Sequence, residues 1–296
     1  MTDAALLAAG NGAAGADGPS VHAMFRILDT RVRVISASVG LLRQWSTEYE
    51  AFKARPGPAD ITVAVGSSSD TDQPLPGEAA VVVDSIVRVW TGDDELFPPL
   101  WAPPLDRGLL LRGAALGRAG HAVLLLAEPE EATTTLAVAA VARGAWLLAY
   151  GLVPVDPDDL LVAPFPKALR LRREVLEELG IDLAHPALVP FRTPAGGVEW
   201  YAQPDALLGS RWSRVAAAAS AVVFLEPGRA GQRPRLHPLR PREALARLTA
   251  NLHRMPADFQ PGMDALVRLS GRTPAYRLQP GPPGQGARLL EETLLA

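Results

Sequence analysis

Residues 111–172 read LRGAALGRAGHAVLLLAEPEEATTTLAVAAVARGAWLLAYGLVPVDPDDLLVAPFPKALRLR, and the order of elements in this stretch sets the fold. Counted from Leu109, LLLRGAALG and HAVLLLA are apolar runs separated by the turn-like RAG, the pattern of two paired, buried strands. A polar loop, EPEEA, leads into TTTLAVAAVARG, which predicts a helix with a small Ala/Val/Leu face ended by Gly144. AWLLAY at 145–150 then predicts another strand. Strand, loop, helix and strand in this order form the βαβ context in which a phosphate-binding loop would sit.

Upstream, FRILDTRVRVIS predicts two short strands around an Asp-Thr turn. Residues 39–52 then place Leu41, Leu42, Trp45, Tyr49 and Phe52 at helical spacing. After the breaker run ARPGPAD come the strand ITVAVG, a polar loop over 67–78 and one long alternating strand over 79–90. This gives a small N-terminal α+β unit over 21–105, closing at the Pro-rich FPPLWAPP, with 106–296 as the main body. Residues 1–20 have the composition of a disordered tail: Asp3 replaces a basic n-region and the apolar stretch is too short for a secretory signal. Downstream, the patterns predict a short helix over 173–180, a buried strand over 215–226, a helix over 242–253 and a last helix over 286–295.

The 296 residues are 48% hydrophobic and 21% charged, which supports a large buried core and rules out disorder of the whole chain. The absence of cysteine excludes thiolate metal sites, disulfides and a cysteine nucleophile. A net charge of -3 gives no basis for a nucleic-acid or anionic-membrane surface. No uninterrupted apolar run of about 18 residues is present, so no transmembrane helix is expected and a cytoplasmic location follows by default. Of the 29 basic residues only two, Lys53 and Lys167, are lysine. The excess of arginine, alanine and proline has the look of a GC-rich genome.

The quoted stretch resembles the HPr kinase/phosphorylase-like proteins, P-loop kinases related in fold to phosphoenolpyruvate carboxykinase. Their pattern here is a strand with a His-Ala-Ala-like start, an apolar strand, the loop G-P-S-G-S-G-K-S-T, a helix, a strand ending in Ser-Asp-Asp, and a Pro-Phe-Pro segment. AVVFLEPGRAGQRPRLHPLRPREALARLTANLH at 221–253 and RTPAYRLQPG at 272–281 look like the family's carboxy-terminal half, so the resemblance spans 109–296. It implies an α/β (α+β) fold with a P-loop kinase core of this type behind the N-terminal unit.

The same comparison implies lost chemistry. On the family loop fall Ala127, Glu128, Pro129, Glu130, Glu131, Ala132, Thr133, Thr134 and Thr135: the glycine positions at 127, 130 and 132 are lost, Thr133 stands at the lysine, and only Thr134 and Thr135 keep hydroxyls. Ala149, Tyr150 and Gly151 stand at Ser-Asp-Asp, and Arg112 at the strand-start histidine. A P-loop needs glycine conformations that aim N–H groups at phosphates, a lysine for the β and γ oxygens, and a hydroxyl for Mg²⁺. Three glutamates would face a triphosphate, each like-charge contact near 4 Å costing about 4 kcal/mol at an effective dielectric of 20. Ordinary MgATP binding in this pose is not expected.

For the acidic loop, an ordinary solvated turn favoured by the helix macrodipole stands beside a mimic in which a glutamate fills the vacated anion site. Lys167, with Arg170, Arg172 and Arg173, is either a substitute phosphate site or a solvated edge segment. Asp156, Asp158 and Asp159 are either a displaced metal site or a turn. The five histidines have no ligand spacing, so no metal is expected. Trp101, Trp200 and Tyr201 fit packing or rim positions.

Three functions stay open. The first is a non-catalytic pseudokinase, without cofactor, that binds a protein or peptide; some relatives resemble accessories of peptide natural-product pathways. The second is an atypical ATP- and Mg-dependent phosphotransferase using Lys167, the nearby arginines and Asp156 or a loop glutamate. The third is a pocket re-used for a cation drawn by Glu130 and Glu131. A homo-oligomer also stays open, since hexamers occur in the family.

Overall fold

Alternation at the start of the chain produces a hairpin. The computed structural model describes residues 21–28, 30–36, 39–67, 79–83, 86–89, 108–127, 131–192, 197–209, 211–227, 232–256, 259–279 and 281–295. In it β1 (Val21–Ile27) and β2 (Thr30–Ser36) pair antiparallel. Thr30 pairs with Ile27, so it belongs to the strand, and Leu28 takes the positive φ of 52° that a two-residue hairpin loop demands. Helix α1 (Val39–Glu48) and a 3-10 turn (Glu50–Phe52) return the chain to β3 (Ile61–Ser67), parallel to β2.

The expected single strand over 79–90 is instead two, β4 (Ala79–Val83) and β5 (Ile86–Val89), an antiparallel pair with Val83 opposite Ile86. The alternation runs through the reversal and hides it. The sheet order is β1-β2-β3-β4-β5. Its inner face buries Phe25, Ile27, Val32, Val34, Ile61 and Val63, and the α1 side buries Leu42, Trp45, Tyr49 and Phe52. Tyr49 meets Phe25 edge-on at 6.4 Å and Phe52 at 5.8 Å between ring centroids. Each such large side chain contributes about 1.5–3 kcal/mol on burial.

The chain divides into two compact units, Met1–Asp106 with Phe191–Val198, and Arg107–Pro190 with Glu199–Ala296. The second contains β6 (Leu109–Arg118), β7 (His121–Leu126), α2 (Glu131–Ala142), β8 (Trp146–Val155), β9 (Leu161–Val162), β10 (Leu169–Leu171) and α3 (Arg173–Glu178). Next in the chain come β11 (Val189–Arg192) and β12 (Val198–Ala202), of which Phe191, Arg192 and Val198 count with the first unit, and then α4 (Pro204–Leu208). The rest is β13 (Ala217–Leu225), β14 (Arg235–Pro238), α5 (Pro241–Ala250), β15 (Leu252–Arg254), α6 (Phe259–Arg272), β16 (Ala275–Gln279) and α7 (Pro283–Leu294).

The main sheet runs β14-β16-β13-β7-β6-β8-β9, with β15 on β6. β9 pairs with β13 as well as with β8, closing a circuit of five strands. Both β7 and β8 are antiparallel to β6, so they are parallel to each other with β6 between them. The β7–α2–β8 connection is therefore a split βαβ unit. Its strands read as continuous apolar runs because both faces are buried: Leu109, Leu111, Leu116, Leu124 and Leu126 are wholly inaccessible.

At Gly113 the backbone takes φ 147°, and a Cβ there would lie 2.1 Å from the Leu125 carbonyl oxygen, so no other residue fits. Its cross-strand partner Gly151 also has positive φ, 77°. The alanines of α2 allow close approach of α7, where a Cβ on Gly286 would come within 3.1 Å of Leu136 Cδ1. Among the described residues no helix is long and apolar enough to cross a membrane. The tail over 1–20, the loop over 68–78, the Pro-rich segment with Trp101, and Glu128, Pro129 and Glu130 lie outside the described residues.

Candidate functional site

The carboxy end of β7 and the first turn of α2 frame the site. Ala127, just past β7, is buried. Helix α2 begins at Glu131, and Thr133 and Thr134 in its first turn are buried. The Thr134 hydroxyl, which the family resemblance assigns to Mg²⁺, hydrogen-bonds the phenol of Tyr150 at 2.9 Å. Tyr150, from the middle of β8, is 1% exposed. Its phenolic oxygen accepts from the Arg170 amide at 3.3 Å, and its hydroxyl lies 3.4 Å from the Arg170 carbonyl oxygen. Tyr150 thus bridges the first turn of α2 to the strand β10.

The Pro-Phe-Pro segment runs along β8, with the Phe165 amide donating to Leu148 and the Tyr150 amide donating to Phe165. This course carries Lys167 inward. A solvated edge lysine is one expectation from sequence, yet Lys167 is only 3% exposed and is not without a partner. A buried ammonium has to be paired, because leaving it alone away from water costs several kcal/mol.

Arg170 of β10 and Arg172 just after that strand reach toward Glu199 of β12, a residue the sequence reading did not single out. Arg170 Nε lies 2.5 Å and Nη2 3.1 Å from the two Glu199 carboxylate oxygens, and Arg172 Nε lies 3.5 Å from one of them. Antiparallel pairing of Leu171 with Trp200 sets this register. Glu199 is buried, while the arginines are about half-exposed. The signal for it was a charge inside the alternating run VEWYA, opposite two arginines in LRLR. Arg173 stacks over Trp200 at 5.7 Å and pairs with Glu177 at 3.9 Å. Trp200 and Tyr201 are both buried, which fits packing.

The remaining candidates make contacts of their own. Arg112 Nε approaches His253 Nδ1 at 3.5 Å, and its amide donates to Asn251, tying β6 to β15. Asp156 belongs to the β8–β9 turn, where its Oδ1 accepts from the amides of Asp158 and Asp159 at 2.7 and 3.4 Å. Asp159 accepts from the Leu161 amide, and Arg268 donates to the carbonyls of Pro157 and Asp158. Among the described residues no group of three or more His, Asp or Glu could hold a metal ion.

No family model matches the chain, and no curated protein matches it. Among solved structures, the Hpr(Ser) kinase/phosphatase from Coxiella burnetii matches over 62% of this chain and 86% of that one, with 10% sequence identity and a TM-score of 0.31. The relationship is a distant structural one and nothing finer.

Proposed function

We propose that this chain is a catalytically degenerate protein with an HPr-kinase-like core, a pseudokinase that works by binding a protein or peptide. The observation that carries this proposal is the buried 2.9 Å hydrogen bond between Thr134 and Tyr150. It engages the Thr134 hydroxyl, one of the two that the loop keeps, with a phenol at the position where the family resemblance calls for acid. Phosphoryl transfer depends on placing Mg²⁺ and a base against the phosphates, and the Thr134–Tyr150 bond supplies neither a carboxylate ligand nor a base. The loop sequence adds negative charge where phosphate would bind. The partner class, and a place beside a peptide-forming pathway, come from the family resemblance alone.

The phosphotransferase alternative needs Arg170 and Arg172 to leave Glu199, Asp156 to leave its turn, and Lys167 to leave its burial. Those engagements weigh against it. A turnover assay tests the proposal: purified chain releases no phosphate from ATP or pyrophosphate with Mg²⁺ above the background of a Thr134→Ala variant. Turnover that the variant abolishes contradicts it.

A further inference from the structure

The first unit contains a cavity unrelated to the loop discussed so far. It has a volume of about 340 Å³ and is lined by His22, Met24, Arg33, Ile35, Pro56 and Gly57. Its floor is the face of the β1–β2 hairpin turned away from α1, because directly opposed residues share a face and His22 pairs with Ile35, Met24 with Arg33. Its wall is the breaker loop over 54–60. That loop is pinned at both ends: the Ala54 amide donates to Met24, and the Asp60 amide donates to Arg31, whose own amide donates to the Asp60 carboxylate at 2.8 Å. Between the ends, Arg31 Nη2 donates to the Arg55 carbonyl and Arg33 Nη2 to the Gly57 carbonyl, both at 3.0 Å. Gly57 allows this closeness, since a Cβ there would lie 2.6 Å from Arg31 Nη2.

The charges in this cavity do not balance. Arg33 spends one donor on Gly57, and among the described residues no carboxylate pairs with it or lines the cavity. His22 adds a second nitrogen-bearing side chain at the rim, while Met24, Ile35 and Pro56 supply apolar surface. A planar guanidinium with free donors matches a carboxylate in bidentate geometry, and the volume falls at the small end of ligand pockets. We infer that this cavity binds a small organic acid, with its carboxylate on Arg33 and its hydrocarbon part on Met24, Ile35 and Pro56.

Methyl-labelled methionine in the full chain provides the test, since only four methionines are present and Met24 is assigned by Met24→Leu. Hexanoate is the probe and hexylammonium the control. The Met24 methyl signal is expected to shift saturably with hexanoate and to stay put with hexylammonium. Arg33→Gln is expected to weaken hexanoate binding about tenfold or more. Ile35→Trp, which fills the cavity and keeps Arg33, is expected to abolish it with the other methionine signals in place. An unmoved Met24 signal, an equal response to hexylammonium, or unchanged binding in either variant overturns the inference.

Discussion

Tyr150 ties the first turn of α2 to β10 through its phenol. Its phenol hydrogen-bonds Thr134 in a buried place, where losing one such bond costs about 0.5–1.5 kcal/mol net. Tyr150→Phe is therefore expected to destabilise the protein by about that much, and Thr134→Val similarly. The double variant is expected to cost less than the sum, because both partners of one bond have gone. Chemical denaturation of the four proteins checks the coupling, and strict additivity would remove the bond from the account. At this scale the family resemblance singled out Thr134 for its hydroxyl and Tyr150 as standing where the family has an acid. It did not disclose that the two are bonded, since that depends on how α2 packs against β8. The burial of Lys167 departs from the solvated-edge expectation for a related reason: its Pro-rich neighbours look like a surface loop, and the pairing of Phe165 along β8 carries it inside.

Among the elements, β6 bears the tightest constraint. Gly113→Ala would place a Cβ against the Leu125 carbonyl and force an L side chain into φ 147°, so a loss above about 3 kcal/mol is expected. Thermal unfolding or loss of soluble yield reads this out, and a variant with unchanged stability would mean the strand crossing differs. The β10–β12 pair depends on Glu199. Glu199→Ala removes the carboxylate that Arg170 and Arg172 share; because both arginines are half-exposed the expected cost is only about 1–2 kcal/mol, larger at low salt than at high salt, where the ion pairs are screened. A loss insensitive to ionic strength would point to packing instead.

Periodicity revealed β1, β2, α1, β3, β6, β7, α2 and β13 because each has a clean period and a clear punctuation mark. It failed over 79–90, where the alternating residues continue across the reversal between Val83 and Ile86. It also passed over α6, whose first turn holds Pro261 and Gly262 and so looks like a breaker, and over the short β14 and β16, which gain their identity from pairing.

For the whole molecule, the central claim is that a kinase-like core has kept its apolar frame and given up nucleotide chemistry. The frame is legible in sequence as runs of leucine, valine and alanine. In the family resemblance that loss is read from Ala127, Glu130 and Ala132 at glycine positions and from the absence of any lysine on the loop. Function at this scale is less legible, because a binding surface leaves no periodic signature and the partner's own chemistry is not written in this chain. The most direct measurement is isothermal titration of the full chain with ATP, ADP and pyrophosphate, each with and without Mg²⁺. The account predicts no heat of binding from a folded sample under any of these conditions. Micromolar binding that requires Mg²⁺ and is lost in Thr134→Ala or Lys167→Ala would contradict it.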